Sequence, residues 1–192
     1  MEKDKIISML DESGAIQKGH FILSSGLHSD SYVQCALALR YPDIADSFSS
    51  ELYEMMKNIS PDIIVSPAMG GLIIGWEVAR KFNKPFIFTE RENGVFKLRR
   101  GFGIEKNDRV IIVEDVFTTG KSTDEVASVV ESYGGVVIAA CSIIKRGKLN
   151  LRFPCFSLVE LSFKTYEAEK CPLCANKIPA VEPGSRNLKK NI

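Results

Sequence analysis

Short, largely apolar runs alternate along the chain with stretches in which apolar residues recur every three or four positions. Runs at 62–66, 85–89, 110–113 and 136–144 are too short for helices and are typical of strands buried on both faces. Helical spacing is found at 6–10, 42–59, 72–81 and 121–130. In the second of these segments, one buried stripe is predicted, made of Ile44, Phe48, Leu52, Met55 and Ile59. The repeated order of strand, loop and helix predicts an α/β fold with a mostly parallel sheet flanked by helices.

The two ends of the chain depart from this pattern. Residues 19–32 are rich in serine and glycine and predict a hairpin or an extended arm. Residues 156–163 alternate loosely, which suggests an edge strand, and residues 187–192 are expected to be frayed. We expect a single domain of 192 residues, made of an N-terminal segment, 1–40, an α/β core, 41–163, and a C-terminal tail, 164–192.

Composition excludes several classes of partner. The formal net charge is +1, so the chain carries no electrostatic footprint of a nucleic-acid-binding protein. The charged start lacks the apolar core of a signal peptide, and the longest apolar run, Val136 to Cys141, is too short to span a bilayer. Five cysteines, an odd number, favour a reducing compartment. We expect a cytoplasmic protein that binds neither nucleic acid nor membrane.

Candidate chemistry is concentrated after the strand that starts at Arg109. Two carboxylates, Glu114 and Asp115, precede a turn made of Thr118, Thr119, Gly120, Lys121, Ser122 and Thr123. Backbone N–H groups at a helix N-terminus attract anions, and hydroxyl groups can donate to phosphate oxygens. Ionised carboxylates only accept hydrogen bonds and suit the hydroxyl groups of a sugar. The segment therefore predicts a ribose 5-phosphate site, with an ordinary threonine N-cap beside solvated acids as the simpler alternative.

The same turn resembles the end of the phosphate-binding loop of nucleoside triphosphatases. That loop requires a glycine five residues before Gly120, and the residue there is Asp115. Its carboxylate would lie where the backbone must surround a phosphate. We therefore exclude a nucleoside triphosphatase of this kind.

Three further segments place flexible or basic residues after predicted strands. The loop Ala68, Met69, Gly70 and Gly71 can turn backbone N–H groups toward a pyrophosphate, or it is a simple tight turn. The connection 90–108 is long enough to be a lid, or it is a solvated basic hairpin; its cations include Arg91, Lys97, Arg99 and Arg100. Arg146 follows the strand 136–144, where it can bind a carboxylate or remain solvated.

The segment 110–123 resembles the phosphoribosyl pyrophosphate motif of the type I phosphoribosyltransferases. The N-terminal segment narrows this resemblance to orotate phosphoribosyltransferases, whose hood closes over the pyrimidine. The matching hood residues are Phe21, Leu23, Ser25, Gly26 and Ser29. The resemblance runs along nearly the whole chain in the same order, and it implies the type I phosphoribosyltransferase fold with a small N-terminal hood.

The resemblance implies transfer of ribose 5-phosphate from phosphoribosyl pyrophosphate to orotate in pyrimidine biosynthesis. It assigns the ribose hydroxyls to Glu114 and Asp115, the 5-phosphate to residues 118–123 and orotate to Arg146. The loop 68–71 would hold pyrophosphate, in this family often through a non-proline cis peptide, which would fall around Ala68 and Met69. Phe21, Ser25 and Gly26 would line the hood.

The resemblance also implies Mg²⁺ as cofactor and a homodimer in which the loop 90–108 acts across the interface. Arg91 matches a substrate-binding arginine of the family. The usual lysine and histidine spacing of the loop is not reproduced, so Lys97, Arg99 and Arg100 are candidates. The predicted catalytic residues are Asp115, Glu114, Lys97 and Arg99.

The chain departs from the family at three positions. Many members carry a lysine in place of Ser24, some carry one in place of Gly70, and most carry a small residue in place of Lys121. Without the hood lysine, another cation must act near the substrate. Two alternatives stay open: a phosphoribosyltransferase for a purine such as xanthine, and a regulator that senses phosphoribosyl pyrophosphate without catalysis.

Two cysteines in the tail, Cys171 and Cys174, have the spacing of metal ligands. Zinc needs four ligands, and no second pair follows them in the sequence. Cys155, His20 and His28 could complete a site only if the fold brought them together. The sequence therefore predicts no metal ligands of the chain's own. A similar tail, with Cys-Pro-x-Cys followed by Pro-Gly-Ser, occurs in a subgroup of orotate phosphoribosyltransferases.

Overall fold

The computed structural model of the protein describes residues 1–183 and has the predicted α/β organisation. In chain order, its strands are β1 (Ile16–Ile22), β2 (His28–Val33), β3 (Ile63–Pro67), β4 (Phe86–Glu92), β5 (Val95–Leu98), β6 (Arg109–Phe117), β7 (Val136–Lys145), β8 (Cys155–Glu160) and β9 (Thr165–Tyr166). Its helices are α1 (Lys3–Glu12), α2 (Ala36–Leu39), α3 (Pro42–Met56), α4 (Leu72–Phe82), α5 (Lys121–Ser132) and α6 (Pro172–Ala175), with a 3-10 helix at Ala168–Lys170. None of these helices combines the length and apolar character needed to cross a bilayer. The predicted fraying of residues 187–192 and the Pro-Gly-Ser part of the tail concern residues beyond this range.

The central sheet has the strand order β5-β4-β3-β6-β7-β8. Every neighbouring pair is parallel except β4 and β5, and the suggested edge strand is β8. The carboxyl ends of the parallel strands therefore lie along one border of the sheet, which we call the carboxyl edge. The loops after β3, β6 and β7 meet there, where open α/β sheets bind ligands.

Helices cover both faces of the sheet, which explains why the central strands read as continuous apolar runs. Along β6, Ile111 and Val113 belong to the hydrophobic cluster that includes α3 and α4, whereas Val110 and Ile112 belong to the cluster of α5. All four side chains are fully buried. Burial of an aliphatic side chain of this size contributes about 1.5–3 kcal/mol, so β6 is firmly held beneath the loop that follows it.

The buried stripe of α3 differs in one position from the predicted one. It runs through Phe48, Leu52 and Met56, each four residues from the next, while Met55 is 46% exposed. The prediction that Met55 belongs to the core was wrong, because one residue turns the helix by about 100° and moves the side chain out of the stripe.

The connection between β4 and β6 begins with a hairpin, which the sequence offered as the alternative to a lid. Strand β4 continues to Glu92, and β5 pairs with it in antiparallel fashion around a two-residue turn. Asn93 and Gly94 both have positive φ, as a type I′ hairpin turn requires. The remaining loop, 99–108, is anchored by Ile104, which is buried against the α5 side of the sheet.

The predicted N-terminal hairpin is confirmed. Strands β1 and β2 pair in antiparallel fashion, and the tail adds β9 to the other side of β2. Farther along the tail, Val181 bridges to Phe21 of β1. We call residues 16–33 the hood and residues 164–183 the described part of the tail. The tail thus contacts both strands of the hood.

Candidate active site

The acid pair lies at the carboxyl edge, at the end of β6. Glu114 is 8% exposed, and its pKa is raised to about 8 because burial disfavours the charged form and Asp115 lies beside it, with Arg91 acting in the opposite direction. Burial also raises the pKa of Asp115, although its carboxylate accepts a 2.9 Å hydrogen bond from the Val116 N–H. Without a bound ligand, the two carboxyl groups therefore have few hydrogen-bond partners.

Polar side-chain atoms of β3, β4 and β6 are buried without a partner. Within residues 1–183, they include Ser66 Oγ, Thr89 Oγ1 and Glu114 Oε1. Ser66 lies near the end of β3 and Thr89 in the middle of β4, whereas Glu114 belongs to the acid pair. Buried polar atoms without partners are rare in folded proteins. Glu114 Oε1 is therefore available to a ligand at the carboxyl edge.

The turn after β6 has the features of an anion site. Gly120 has φ 79° and precedes the first residue of α5, and it has no side chain with which to cap that helix. A Cβ atom at this position would lie 2.8 Å from Leu149 Cδ1, so both conformation and space favour glycine. Thr118 and Thr119 are exposed beside the first N–H groups of the helix, and Thr119 Oγ1 accepts a 3.4 Å hydrogen bond from the Lys121 N–H. Such a terminus binds phosphate through its N–H groups and its dipole.

Lys121, Ser122 and Thr123 form the first turn of α5. The Lys121 side chain is 80% exposed and its Nζ lies 3.9 Å from Glu125 Oε1. Lysine is therefore tolerated at this family position because its side chain extends into solvent along the helix. Thr123 is buried, so its hydroxyl is less accessible to a ligand than those of Thr118 and Thr119.

The loop after β3 approaches the acid pair closely. The peptide bond between Ala68 and Met69 is cis, which confirms the predicted position. A Cβ atom at Gly70 would lie 2.7 Å from both carboxylate oxygens of Asp115, and one at Gly71 would lie 2.7 Å from the Val113 carbonyl oxygen. The loop can lie against β6 because it has no side chains at these two positions. A side chain at Gly70 would require the Asp115 carboxylate to shift.

The four predicted cations of the connection 90–108 have different surroundings. Arg91 lies near the start of α5, where its Nη2 is 2.6 Å from Glu125 Oε2 and its guanidinium lies 4.0 Å from the centre of the Phe96 ring. Its charge also lowers the pKa of Glu114. Arg91 is therefore brought to the candidate site.

The other three cations pair with acids of their own hairpin. Lys97 Nζ is 2.6 Å and Arg99 Nη1 is 3.7 Å from Glu92 carboxylate oxygens, and Arg100 binds Glu90 through two 2.9 Å hydrogen bonds. These side chains are at least half exposed. The structure does not bring Lys97, Arg99 or Arg100 to the acid pair within this chain.

Arg146 faces the hood. Its guanidinium carbon lies 4.7 Å from the centre of the Phe163 ring, and burial lowers its pKa while nearby Tyr32 raises it. Lys18 of β1 lies over the same ring at 5.9 Å and donates a 3.0 Å hydrogen bond to Ser31. We call Lys18, Arg146 and Phe163 the ring cluster. Two cations beside one aromatic face suit a planar, anionic ligand.

The hood residues predicted from the sequence have two roles. Phe21 is buried, with its ring centre 5.7 Å from that of Tyr32. Ser25 and Gly26 are exposed in the turn between β1 and β2, where Gly26 has φ 82° and its N–H donates to Leu23. Phe21 supports the hood, whereas the turn is free to contact a ligand.

A family model matches this chain and defines its class. The model, described as "Phosphoribosyl transferase domain", matches residues 39–169, which include β3, β6, the turn 118–123 and Arg146. The chain belongs to the phosphoribosyltransferase family.

Full-length relatives refine this assignment to the orotate phosphoribosyltransferases. The chain is 50% identical over 190 residues to an orotate phosphoribosyltransferase of Caldanaerobacter subterraneus subsp. tengcongensis, with 98% of this chain and 100% of the relative covered. It is 44% identical over 191 residues to one of Caldicellulosiruptor saccharolyticus, with 98% and 100% covered. The crystal structure of orotate phosphoribosyltransferase from Aeropyrum pernix shares the fold, with TM-score 0.72, 24% identity, and 81% of this chain and 93% of that chain covered.

Proposed function

We propose that this protein transfers the ribose 5-phosphate group of phosphoribosyl pyrophosphate to orotate, giving orotidine 5′-phosphate and pyrophosphate. The observation that carries this proposal is the buried acid pair, with an unpaired Glu114 oxygen, next to the glycine and hydroxyl groups at the start of α5. The full-length relatives named orotate phosphoribosyltransferase support the choice of base. A role in pyrimidine biosynthesis and a cytoplasmic location follow from this activity as expectations.

The roles of the residues follow from what each group can do. Glu114 and Asp115 accept hydrogen bonds from the ribose hydroxyls, and residues 118–123 bind the 5-phosphate. The backbone of residues 68–71 binds pyrophosphate, and Arg91 adds positive charge beside it. When the bond from ribose carbon 1 to pyrophosphate breaks, positive charge develops on the ribose and negative charge on the leaving group. The chain needs no covalent nucleophile, because fixed groups align the reactants and stabilise both charges.

The acid pair also fits Mg²⁺. Mg²⁺ prefers hard oxygen ligands, and Glu114 and Asp115 offer carboxylate oxygens, including the unpaired Glu114 Oε1. These are the residues that would hold the ion together with substrate oxygens. The ion would supply positive charge that neutralises the phosphate groups.

The ring cluster supplies the cation that the hood lacks at Ser24. Orotate is a planar ring with a carboxylate, which Arg146 can bind while the ring stacks nearby. Lys18 reaches the same place from β1 and takes the part of the missing hood lysine. Lys18 and Arg146 thus replace the lysine that is absent at Ser24. This favours an enzyme over a regulator that only binds phosphoribosyl pyrophosphate.

A direct assay tests the proposed reaction. Orotate absorbance should fall when the protein is mixed with phosphoribosyl pyrophosphate and Mg²⁺, and it should stay constant when any component is omitted. Hypoxanthine and xanthine, offered in place of orotate, should give no nucleotide. Nucleotide formation from a purine but not from orotate would contradict the proposal, as would binding of phosphoribosyl pyrophosphate without any product.

Removing a charge from the ring cluster should weaken orotate binding. We expect Lys18→Ala and Arg146→Ala each to raise KM for orotate by about 10-fold or more, because a hydrogen bond to a charged group contributes about 1.5–3 kcal/mol. KM for phosphoribosyl pyrophosphate should change less than threefold. Lys164→Ala, which removes a neighbouring exposed lysine, is the control. Equal changes in both KM values would argue against a role of the ring cluster in base recognition.

An exposed apolar stripe supports a homodimer. Met69 lies just before α4, and Ile73 and Trp76 lie in its first turns, with 77%, 45% and 59% of their surfaces exposed. Large apolar side chains at helical spacing on a surface mark an interaction site. We expect the wild-type protein to sediment as a dimer and Trp76→Glu to shift it toward monomer. The control is Tyr133→Glu, at the C-terminal end of α5, which should remain dimeric.

The dimer also tests whether the loop acts across the interface. If Lys97 and Arg99 serve the partner's site, a Lys97→Ala, Arg99→Ala double variant mixed with Asp115→Asn should recover part of the activity that each has lost. Mixed dimers then contain one complete site. No recovery after exchange of subunits would place the loop and the acid pair in the same protomer.

A further inference from the structure

Four potential metal ligands converge where the tail meets the hood. His20 and His28 come from β1 and β2, and Cys171 and Cys174 flank the start of α6. One ligand atom from each residue can be chosen so that all four lie within 4.8 Å of one another. The fold thus provides the second ligand pair that the sequence did not show. We propose that these residues bind one structural Zn²⁺, which fastens the tail to the hood.

The distances are close to those of a tetrahedral site. The Sγ atoms of Cys171 and Cys174 lie 3.6 and 3.7 Å from His20 Nε2, and Cys174 Sγ lies 3.3 Å from His28 Nδ1. Zinc with bonds of ~2.0–2.3 Å keeps its ligand atoms ~3.3–3.8 Å apart. The two histidine nitrogens are 2.7 Å apart, so they must separate by about 0.6 Å to bind the ion. That adjustment is small for two side chains at the end of a hairpin.

The orientation of His20 also suits a metal ligand. Its Nδ1 is 2.7 Å from the Ile178 carbonyl oxygen, which can only accept a hydrogen bond. Nδ1 therefore carries the proton, and Nε2 directs its lone pair toward the two thiols. Metal-bound histidines commonly donate their other N–H to a carbonyl group in this way. Ile178 belongs to the tail, so the same contact closes the tail over the site.

Beyond β9, the described part of the tail has little buried surface to hold it in place. Between residues 167 and 183, Cys171 is the one buried side chain, while Ile178 and Val181 are 42% and 56% exposed. Backbone hydrogen bonds link Val181 to His20 and Ile22. A short segment without a hydrophobic core usually needs a disulfide or a metal for stability. Two cysteines and two histidines are a common ligand set of structural zinc sites.

Zinc at this site should also affect substrate binding by the hood, an inference that rests on the proposed function. His20 and His28 flank the turn 21–27, which contains Phe21, Ser25 and Gly26. Zinc bound between them would fix the base of this turn. Loss of the metal should therefore raise KM for orotate more than KM for phosphoribosyl pyrophosphate.

The metal itself can be tested without any activity measurement. The full-length protein, produced without a histidine tag, is reduced, incubated with Zn²⁺ and separated by gel filtration. Elemental analysis should find about one zinc per chain. Replacement of zinc by Co²⁺ should give the intense visible bands and the thiolate charge-transfer band of a tetrahedral thiolate site. A wild-type protein that retains no zinc after this treatment would overturn the proposal.

Variants then identify the ligands. Cys174→Ser, at the exposed cysteine, and His28→Ala should each lose the zinc and the cobalt spectrum. Cys155→Ser, which changes a cysteine outside the cluster, should keep both. Zinc that persists in Cys174→Ser and His28→Ala would be an adventitious ion only. A Cys171–Cys174 disulfide in the untreated protein that resists metal loading would also refute the site.

If a variant does not fold, chelator titration of the wild type decides. Release of zinc should make the tail sensitive to protease, and an unchanged cleavage rate would contradict a fastening role.

Discussion

Asp115→Asn should lower kcat by about 100-fold or more, the order of loss seen when a fixed polar group at a reacting centre is removed. The Asp115 carboxylate lies against the loop after β3, within contact distance of Gly70. Asparagine preserves the shape but offers an N–H donor where a ribose hydroxyl needs an acceptor. Because burial raises the pKa of Asp115, a neutral side chain should leave the protein at least as stable as the wild type.

Steady-state kinetics and thermal unfolding should be measured on the same preparations. Asp43→Asn, at an exposed position in the first turn of α3, is the matched control and should change kcat less than twofold. Wild-type kcat in Asp115→Asn would remove this residue from the mechanism. A large fall in Tm would instead show that the residue supports the fold.

Glu114→Gln should flatten the dependence of stability on pH. The pKa of Glu114 is about 8 in the folded protein, above its ordinary value of 4.5. Between these values the folded chain holds a proton that the unfolded chain has lost, so the free energy of unfolding falls as pH rises from about 4.5 to about 8 and levels off above that. The contribution is on the order of 5 kcal/mol, and glutamine, which does not titrate, removes it.

Urea unfolding at several pH values across this window measures the effect. The wild type should lose stability over the window, and Glu114→Gln should lose much less. Glu131→Gln provides the control, because Glu131 is exposed near the end of α5 that points away from the carboxyl edge. If Glu114→Gln and the wild type show the same slope, Glu114 does not carry the raised pKa.

The parts of the fold that the sequence predicts well are encoded by neighbouring residues. Strand β6, its acid pair, the turn 118–123 and helix α5 form one continuous segment, and its apolar run, hydroxyl groups and glycine each act locally. The cis bond at Ala68 was expected from the family resemblance, not from the residues themselves. The α/β class followed from the order of such segments.

The hairpin after β4 was an alternative for this segment, and the sequence contains evidence for it. Asn93 and Gly94 are a strong hairpin signal because both residues tolerate positive φ. The length of the connection and the family resemblance favoured a lid, although Glu90 and Glu92 in the same segment provide partners for the cations. Charge of both signs on two paired strands favours a hairpin over a mobile loop.

Other features could not be predicted from local sequence at all. Lys18 and Phe163 meet through the pairing of the hood and the return of the chain after β8. His20 and Cys171 are 151 residues apart in sequence, and nothing near His20 marks it as a partner of the Cys171 and Cys174 pair. Contacts of this kind depend on how complete elements pack, so a single sequence does not reveal them.

The close approach of Gly70 to Asp115 also limits how this enzyme can be modified. A bulkier amino acid introduced at the glycine should displace the carboxylate, so the two positions are coupled. Libraries that vary Gly70 alone should therefore yield mostly clones with reduced activity. Substitutions at Gly70 should be tolerated when position 115 and the backbone of the loop after β3 are changed with it.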